Sequence, residues 1–256
     1  MKKVILFFVI LVCFISNQPI SITDKEFVIF YFCDMKGRYE FDLDGRMGLA
    51  TISELKRQES KRFYDHRGQV FLLSGGNFSG VGDNMRSHFG LLNKAAFDAV
   101  FVGEEELLYL EQNLALRNLE LPLIAERENE FKAIKEKHIT SHGIHFRISS
   151  NLPSIEDKSV DIQLLFHTTG SYDYLKSLET EKPIYYFLNE SEISSFSFKK
   201  NIYTAQCPSP EKIGKLSLFF RKKNLIRQRQ EFIPLNSKDS NNSWLEPDRE
   251  IINELK

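Results

Sequence analysis

The sequence contains few residues of several informative kinds. Its 256 residues include one Trp and three Cys, and the formal net charge is −1. Nucleic-acid binding depends on clustered Lys and Arg, and the chain has no long basic block, so a nucleic-acid partner is not expected. The sequence also shows no internal repeat and no heptad pattern, which argues against a solenoid or a coiled coil.

The composition is that of a globular protein. Hydrophobic residues make up 42% of the chain and charged residues 27%, and Phe is abundant at 22 residues. This length is sufficient for one large domain or two small ones. These values predict a folded chain with a substantial core, but they indicate no activity.

The amino terminus has the pattern of a secretory signal. Met1-Lys2-Lys3 is followed by an apolar run over residues 4–15 and by polar residues 16–19. About 12 apolar residues are too few for an ordinary membrane span, so we interpret residues 1–19 as a signal peptide. The alternative interpretation is a buried core helix. Export would place the mature chain in the periplasm or the cell envelope.

The three cysteines leave two questions open. Cys13 lies where a bacterial lipoprotein carries its lipidated cysteine, but Val12 precedes it where such signals prefer a small residue. A lipid on Cys13 would associate the chain with a membrane, although one acyl chain binds only reversibly. Cys33 and Cys207 both lie at predicted strand ends. They could pair in an oxidising compartment, but we favour two buried thiols.

Apolar strands that end in polar, glycine-containing loops organise the first half of the chain. The runs 27–33, 70–73 and 99–102 are each followed directly by such a loop. Helices predicted at 48–58, 85–96 and 104–116 alternate with these strands, which indicates a layered α/β fold. In such folds the loops after parallel strands gather at one edge of the sheet, where ligands usually bind.

The second half continues the pattern. Strands are predicted at residues 121–125, 142–149, 160–166, 183–187 and 201–205, with a hairpin formed by 212–220 and 225–234. The alternating polar and apolar residues of 142–149 predict a half-exposed strand. We therefore expect one domain over residues 26–235 and a polar tail over residues 236–256.

Several of these loops, taken in order, resemble those of the calcineurin-like metallophosphoesterase domain of secreted 5′-nucleotidases. Asp34-Met-Lys36-Gly37 is similar to the family's Asn-Asp-x-His-Gly. Ser-Gly-Gly-Asn-Phe at 74–78 is similar to Asp-x-Gly-Asp-Phe, and Gly-Glu-Glu-Glu at 103–106 is similar to Gly-Asn-His-Glu. Further similarities lie at residues 46–50, 167–170, 212–219 and 246–248. The resemblance covers residues 26–250 and ends where the family's nucleobase-binding C-terminal domain would begin.

The resemblance implies a fold, an activity and a metal centre. The fold would be a four-layer α/β/β/α sandwich of two mixed sheets. The family's phosphoester hydrolysis uses two divalent metals, which activate water and clamp phosphoryl oxygens. Carried over by position, the metal ligands fall on Asp34, Asn77, Glu104 and His167. A last pair of family histidines falls near Asn189 and Ser191.

The same resemblance implies that this site is degenerate. Lys36 stands at a metal-binding His, Glu105 stands at the His that stabilises the transition state, and Leu108 stands at the Asp that orients that His. Lys36 would repel a cation, so we expect it to pair with Asp34 or Glu104 in a metal-free site.

The resemblance therefore leaves two functional hypotheses. The first is an exported pseudoenzyme with no metal cofactor that binds a ligand or has a structural role. The second is a phosphoesterase with a remodelled metal site built from Asp34, Glu104 and His167, which would act on a phosphorylated small molecule.

Three histidines cluster elsewhere in the chain. His138 and His142 have the i, i+4 spacing that binds metals on a helix, and His145 follows. Because Ser141 and Gly143 interrupt any helix there, we interpret all three as surface histidines.

Overall fold

The computed structural model describes residues 24–33, 48–63, 67–76, 85–127, 129, 131, 133–150, 158–166, 180–188, 201–209, 212–235, 249 and 251. These residues form two β-sheets and three α-helices. The helices are α1 (Leu49–Arg62), α2 (Met85–Lys94) and α3 (Glu104–Gln112), and a 3-10 helix spans Leu114–Asn118. The strands are β1 (Lys25–Phe32), β2 (Gly68–Ser74), β3 (Ala99–Phe101), β4 (Leu123–Ile124), β5 (Glu136–Ser141), β6 (Ile144–Ser149), β7 (Ile162–Phe166), β8 (Ile184–Leu188), β9 (Ile202–Gln206), β10 (Lys212–Arg221) and β11 (Asn224–Pro234).

The first sheet has the order β11-β10-β1-β2-β3-β4. Strands β1 to β4 are parallel, and the hairpin β10–β11 adds to β1 in antiparallel orientation. Strand β1 is buried over its last six residues because it lies between β10 and β2. This central position explains why residues 27–33 form a continuous apolar run rather than an alternating one.

The second sheet has the order β5-β6-β7-β8-β9. Strands β6 to β9 are parallel, and β5 pairs with β6 in antiparallel orientation. Each sheet therefore contains strand pairs of both kinds. The prediction of an α/β fold with two mixed sheets is confirmed.

An aromatic core joins the two sheets. The ring of Phe27 on β1 packs edge-on against Phe146 on β6 at a centroid distance of 4.9 Å, and it also contacts Phe71 and Phe220. These four side chains are essentially inaccessible to solvent. Edge-to-face aromatic pairs contribute about 0.5–1.5 kcal/mol each beyond their buried area, so this cluster holds the sheets face to face.

The outer faces of the central strands of both sheets are also buried. Helix α1 packs Leu49 and Ile52 against the first sheet, and the Lys56 ammonium binds the Asp98 carboxylate at 2.8 Å. On the second sheet, Leu165 and Tyr186 point away from the aromatic core and are nevertheless buried. Buried outer faces on both sheets are what a four-layer arrangement requires.

One predicted strand is wrong. Residues 142–149 do not form a single half-exposed strand, because His142 and Gly143 form the turn of a hairpin between β5 and β6, with φ values of 48° and 74°. Strand β6 lies between β5 and β7, so polar Arg147 and Ser149 are buried on its outer face. The alternation in the sequence therefore reflects two buried faces of different polarity.

Two element lengths also differ from prediction. The helix expected over 104–116 ends at Gln112 and is followed by the short 3-10 helix. The strand expected over 121–125 is reduced to Leu123–Ile124. The proposed signal and most of the proposed tail lie outside the described residues, although Ile251 is buried in the helix-side core. Within the described part of the chain, no helix is long and apolar enough to span a membrane.

Candidate functional site

The carboxyl ends of the parallel strands of the first sheet form one edge. Phe32 pairs with Ser74, Ser74 pairs with Val100, and Phe101 pairs with Ile124. The loops after β1, β2, β3 and β4 therefore begin side by side. This is the edge at which α/β proteins bind their ligands.

Gly76 brings two of these loops into close contact. A Cβ atom at this position would lie 2.7 Å from the carbonyl oxygen of Phe101, and the backbone has φ +93°. Any other residue would be strained there and would collide with β3. The glycine thus allows the chain leading to Asn77 to pass directly over the end of β3.

Aromatic contacts bring the second sheet to the same edge. The ring of Phe166, the last residue of β7, lies 4.7 Å from the ring of Phe101 at the end of β3. Phe187 on β8 stacks on Phe166 at 4.1 Å and contacts Tyr31 at 4.7 Å. His167 follows Phe166 directly in the sequence, so the chain enters the predicted His167 position from this edge.

A disulfide joins the two sheets at this edge. Cys33 and Cys207 follow β1 and β9, and their Cα atoms are 5.5 Å apart. The interpretation of two buried thiols is therefore wrong. It failed because the 174 residues between them gave no indication that the two strand ends meet.

A buried tyrosine supports the same connection. The Tyr31 hydroxyl donates to the backbone oxygen of Gln206 at 2.6 Å, and the Gln230 side chain donates to Tyr31 at 2.6 Å. Burial raises the pKa of Tyr31 well above its ordinary value, although the hydrogen bond from Gln230 opposes this shift. Tyr31 therefore stays protonated and keeps β1 against β9.

Most of the predicted site residues cannot be placed. Asp34, Lys36, Asn77 and His167 lie outside the described residues, as do Asn189 and Ser191. The expected ion pair between Lys36 and Asp34 or Glu104 thus stays a prediction. The structure places their chain neighbours Cys33, Gly76 and Phe166, which lie at the shared edge.

The described site positions all lie at the start of α3. Glu104, Glu105 and Glu106 form its first turn, where acidic side chains interact favourably with the helix dipole. Glu106 is buried, and its carboxylate accepts the backbone N–H of Gly103 at 2.9 Å. Glu106 therefore caps the helix. Leu108, by contrast, is 45% exposed and offers no polar atom.

Glu104 is bound by an arginine. The Arg127 guanidinium contacts the Glu104 carboxylate at 2.9 Å and the Glu111 carboxylate at 2.9 Å. The hydrogen bonds that Arg127 donates to Glu111 and then to Glu104 raise the pKa of Arg127 further above its ordinary value. Arg127 follows β4 in a segment without a recognised motif, so no sequence pattern predicts this contact.

The described residues do not fit a metal pair. Among them, no group of three or more His, Cys, Asp and Glu side chains is arranged to hold a metal ion. Glu104, the described candidate ligand, already has a cation as its partner. Partial burial raises the pKa of the carboxyl group of Glu126, the residue that directly precedes Arg127.

Comparison with known structures identifies the fold. SoxB from Thermus thermophilus, a sulfate thiohydrolase, superposes with a TM-score of 0.62 at 11% identity over 94% of this chain and 61% of that protein. The NAD nucleotidase NadN from Haemophilus influenzae gives 0.57 at 13% identity, over 91% of this chain and 55% of that one. YfkN from Bacillus subtilis, a calcineurin-like phosphoesterase, gives 0.57 at 10% identity, over 91% of this chain and 95% of that one.

The chain therefore has the fold of the calcineurin-like phosphoesterases and 5′-nucleotidases. It spans about three fifths or less of the length of SoxB and NadN. No protein-family model matches the sequence, and no curated protein matches it. Identities of this size support the shared fold and leave the activity to be argued from the residues.

Proposed function

We propose that this chain is an exported, metallophosphoesterase-like protein that has lost the metal pair of that fold and acts by binding a ligand or as a structural component. The observation that carries the proposal is the contact between Arg127 and Glu104 at the candidate edge. By resemblance, Glu104 stands where a neutral Asn would ligate a metal. Its carboxylate is instead neutralised by a guanidinium that is also bound to Glu111.

This ion pair is too weak to exclude a metal by itself. Glu104 is 63% exposed, and exposed pairs of this kind contribute about 0.2–1 kcal/mol. A tightly bound metal could displace Arg127 at that cost. The proposal therefore also depends on the positions where, by resemblance, other residues stand in place of the family's catalytic side chains.

Two replacements on α3 oppose phosphoester chemistry. Glu105 is exposed at the helix start, and its negative charge would repel an anionic phosphate from the position of the family's stabilising His. Leu108 cannot accept a hydrogen bond, so it could not orient an imidazole. Together these residues remove the electrostatic stabilisation on which this reaction class depends.

The disulfide supports export. Disulfides form and persist in the periplasm and outside the cell, and they are rare in the cytosol. The Cys33–Cys207 bond is thus consistent with the signal-like amino terminus. Lipid attachment at Cys13 would add a membrane association and is a separate part of the proposal.

A second candidate function is favoured by the strand ends. The segments leading to Asp34, Asn77, Glu104 and His167 all leave strands that meet at one edge. A remodelled phosphoesterase could assemble Asp34, Glu104 and His167 around a single divalent metal if Arg127 moved away. Oxygen and imidazole ligands of this kind bind several divalent metals.

Phosphoesterase turnover distinguishes the two functions. The purified protein is assayed with p-nitrophenyl phosphate and nucleoside monophosphates, with Mn²⁺, Zn²⁺ or Mg²⁺ and with EDTA. We expect no metal-dependent turnover in the wild type or in Arg127→Gln, which releases Glu104. Arg221→Gln is the matched control, because it removes an arginine–carboxylate pair with Asp24 at the start of β1. Metal-dependent turnover that is abolished by Asp34→Ala would refute the first function and establish the second.

A further inference from the structure

Two imidazoles of the β5–β6 hairpin face each other through ring nitrogens. Nδ1 of His138 lies 3.0 Å from Nε2 of His145, and the ring centroids are 5.1 Å apart. The hairpin lies far from the candidate edge, because its turn residue His142 contacts the backbone oxygen of Gly68, the first residue of β2. His138 and His142, the pair suggested by the spacing, do not form this arrangement.

The other nitrogen of each ring is held by a hydrogen-bond acceptor. Nε2 of His138 lies 2.9 Å from the Glu136 carboxylate, and Nδ1 of His145 lies 3.0 Å from the backbone oxygen of Ser159. Glu136 also contacts the guanidinium of Arg147, which favours its ionised form. Because a carboxylate and a carbonyl only accept, each ring donates its N–H outward. Metal-binding histidines typically donate their second N–H to such a group.

This arrangement leaves two lone pairs facing each other. A neutral imidazole has one N–H, so the nitrogens of His138 and His145 that face each other both lack a proton when both outward bonds are made. Two lone pairs 3.0 Å apart repel unless a cation lies between them. We propose that His138 and His145 bind a divalent transition metal such as Zn²⁺, Cu²⁺ or Ni²⁺.

The distances and exposure suit such an ion. Two nitrogens bound to one tetrahedral Zn²⁺ at about 2.0–2.1 Å are roughly 3.3 Å apart, so the rings need to separate by only a few tenths of an ångström. The His138 side chain is 36% exposed on the edge strand β5. Water can therefore reach the metal and complete its coordination.

The charged side chains around the pair are two carboxylates and three cations. Glu136 offsets Arg147, which pairs directly opposite His138 on β6. Asp161 accepts the backbone N–H of His145 at 3.1 Å and is itself paired with Lys182 and Lys223. The ligands are neutral imidazoles, so the site selects metals that prefer nitrogen over Mg²⁺, which prefers oxygen.

Calorimetric titration of the purified, EDTA-treated protein with ZnCl₂ tests the proposal. We expect one zinc per chain at this site, with affinity reduced at least about tenfold in His138→Gln and in His145→Gln, and about tenfold in Glu136→Gln. His142→Gln is the matched control, since it removes an imidazole from the same hairpin outside the pair. Its affinity should equal that of the wild type, as should the affinity in excess Mg²⁺.

A second measurement separates this site from the candidate phosphoesterase edge. Cu²⁺ bound to the protein should show electron paramagnetic resonance splitting from two imidazole nitrogens, and His145→Gln should remove one of them. Asp34→Ala should leave both zinc affinity and the copper spectrum unchanged. The proposal is overturned if His138→Gln and His145→Gln, folded as judged by circular dichroism, bind zinc as the wild type does. It is also overturned if His142→Gln weakens binding equally.

Discussion

Removing the Cys33–Cys207 disulfide should destabilise the whole domain. The bond joins the end of β1, at the centre of the first sheet, to the end of β9, at the edge of the second. Without it, the unfolded chain gains the freedom to separate these two points. The loss therefore acts mainly by increasing the entropy of the unfolded state.

The sequence separation sets the magnitude. For a loop closed over 174 residues, the chain-entropy relation gives about 5 kcal/mol at 25 °C. Native disulfides of this kind contribute about 2–5 kcal/mol when measured, because the native state and residual structure reduce the full entropic value. We expect a loss of about 2–5 kcal/mol in the free energy of unfolding.

Urea denaturation measures this loss. Cys33→Ser, Cys207→Ser and the double variant should have the same urea midpoint, and their free energies of unfolding should agree within about 0.5 kcal/mol, because each breaks the same bond. Wild type reduced with dithiothreitol should unfold at that midpoint too. Alkylation before reduction should leave both cysteines unlabelled. This reasoning would be refuted if the oxidised wild type were no more stable than the reduced protein. It would also be refuted if the losses of the two single variants added up in the double variant.

Two further predictions concern packing and pH. Gly214→Ala should lower the free energy of unfolding by about 1–3 kcal/mol, because the new Cβ would lie 2.2 Å from the Tyr31 ring. Gly90→Ala on α2 should raise the free energy of unfolding by about 0.5–1 kcal/mol, because its new Cβ would meet open space. Urea midpoints that fall equally for both would contradict this. Burial raises the pKa of Tyr31 and Tyr185 above the ordinary value of 10.0. Their contribution to the free energy of unfolding is therefore fully present below pH 10.0 and is lost as the pH rises beyond that value. Between pH 10 and 11 the free energy of unfolding should fall by about 1.0 kcal/mol per tyrosine, and Tyr31→Phe should remove one such contribution. An unchanged pH dependence in Tyr31→Phe would be the contrary result.

The strands that position the candidate edge could be read from the sequence because they are buried on both faces. Residues 27–33 and 70–73 are continuous apolar runs, as expected for parallel strands between other strands. Gly76 marks the close approach of β2 to β3. Local composition therefore carries the information on which strands end at the edge.

Long-range pairing could not be read in this way. Strand β5 was missed because Glu136–Ser141 is an edge strand with mostly polar, accessible side chains. The His138–His145 contact depends on the register of the β5–β6 hairpin, which the turn at His142 and Gly143 fixes. Pairs such as Cys33 with Cys207 are set by the packing of the two sheets, and a single sequence holds no pattern for that packing.

The construction of the candidate edge favours ligand binding over a purely structural role. Cys33 is cross-linked to β9 immediately before Asp34, and the adjacent Tyr31 is hydrogen-bonded to Gln206 and Gln230. These bonds hold the origin of the first loop against the second sheet. Ordering a binding loop in advance reduces the entropy lost when a ligand binds. Glu104, the described candidate ligand at this edge, is paired with Arg127. Under the proposed function, a ligand bound there would be recognised by hydrogen bonds and shape rather than through a metal.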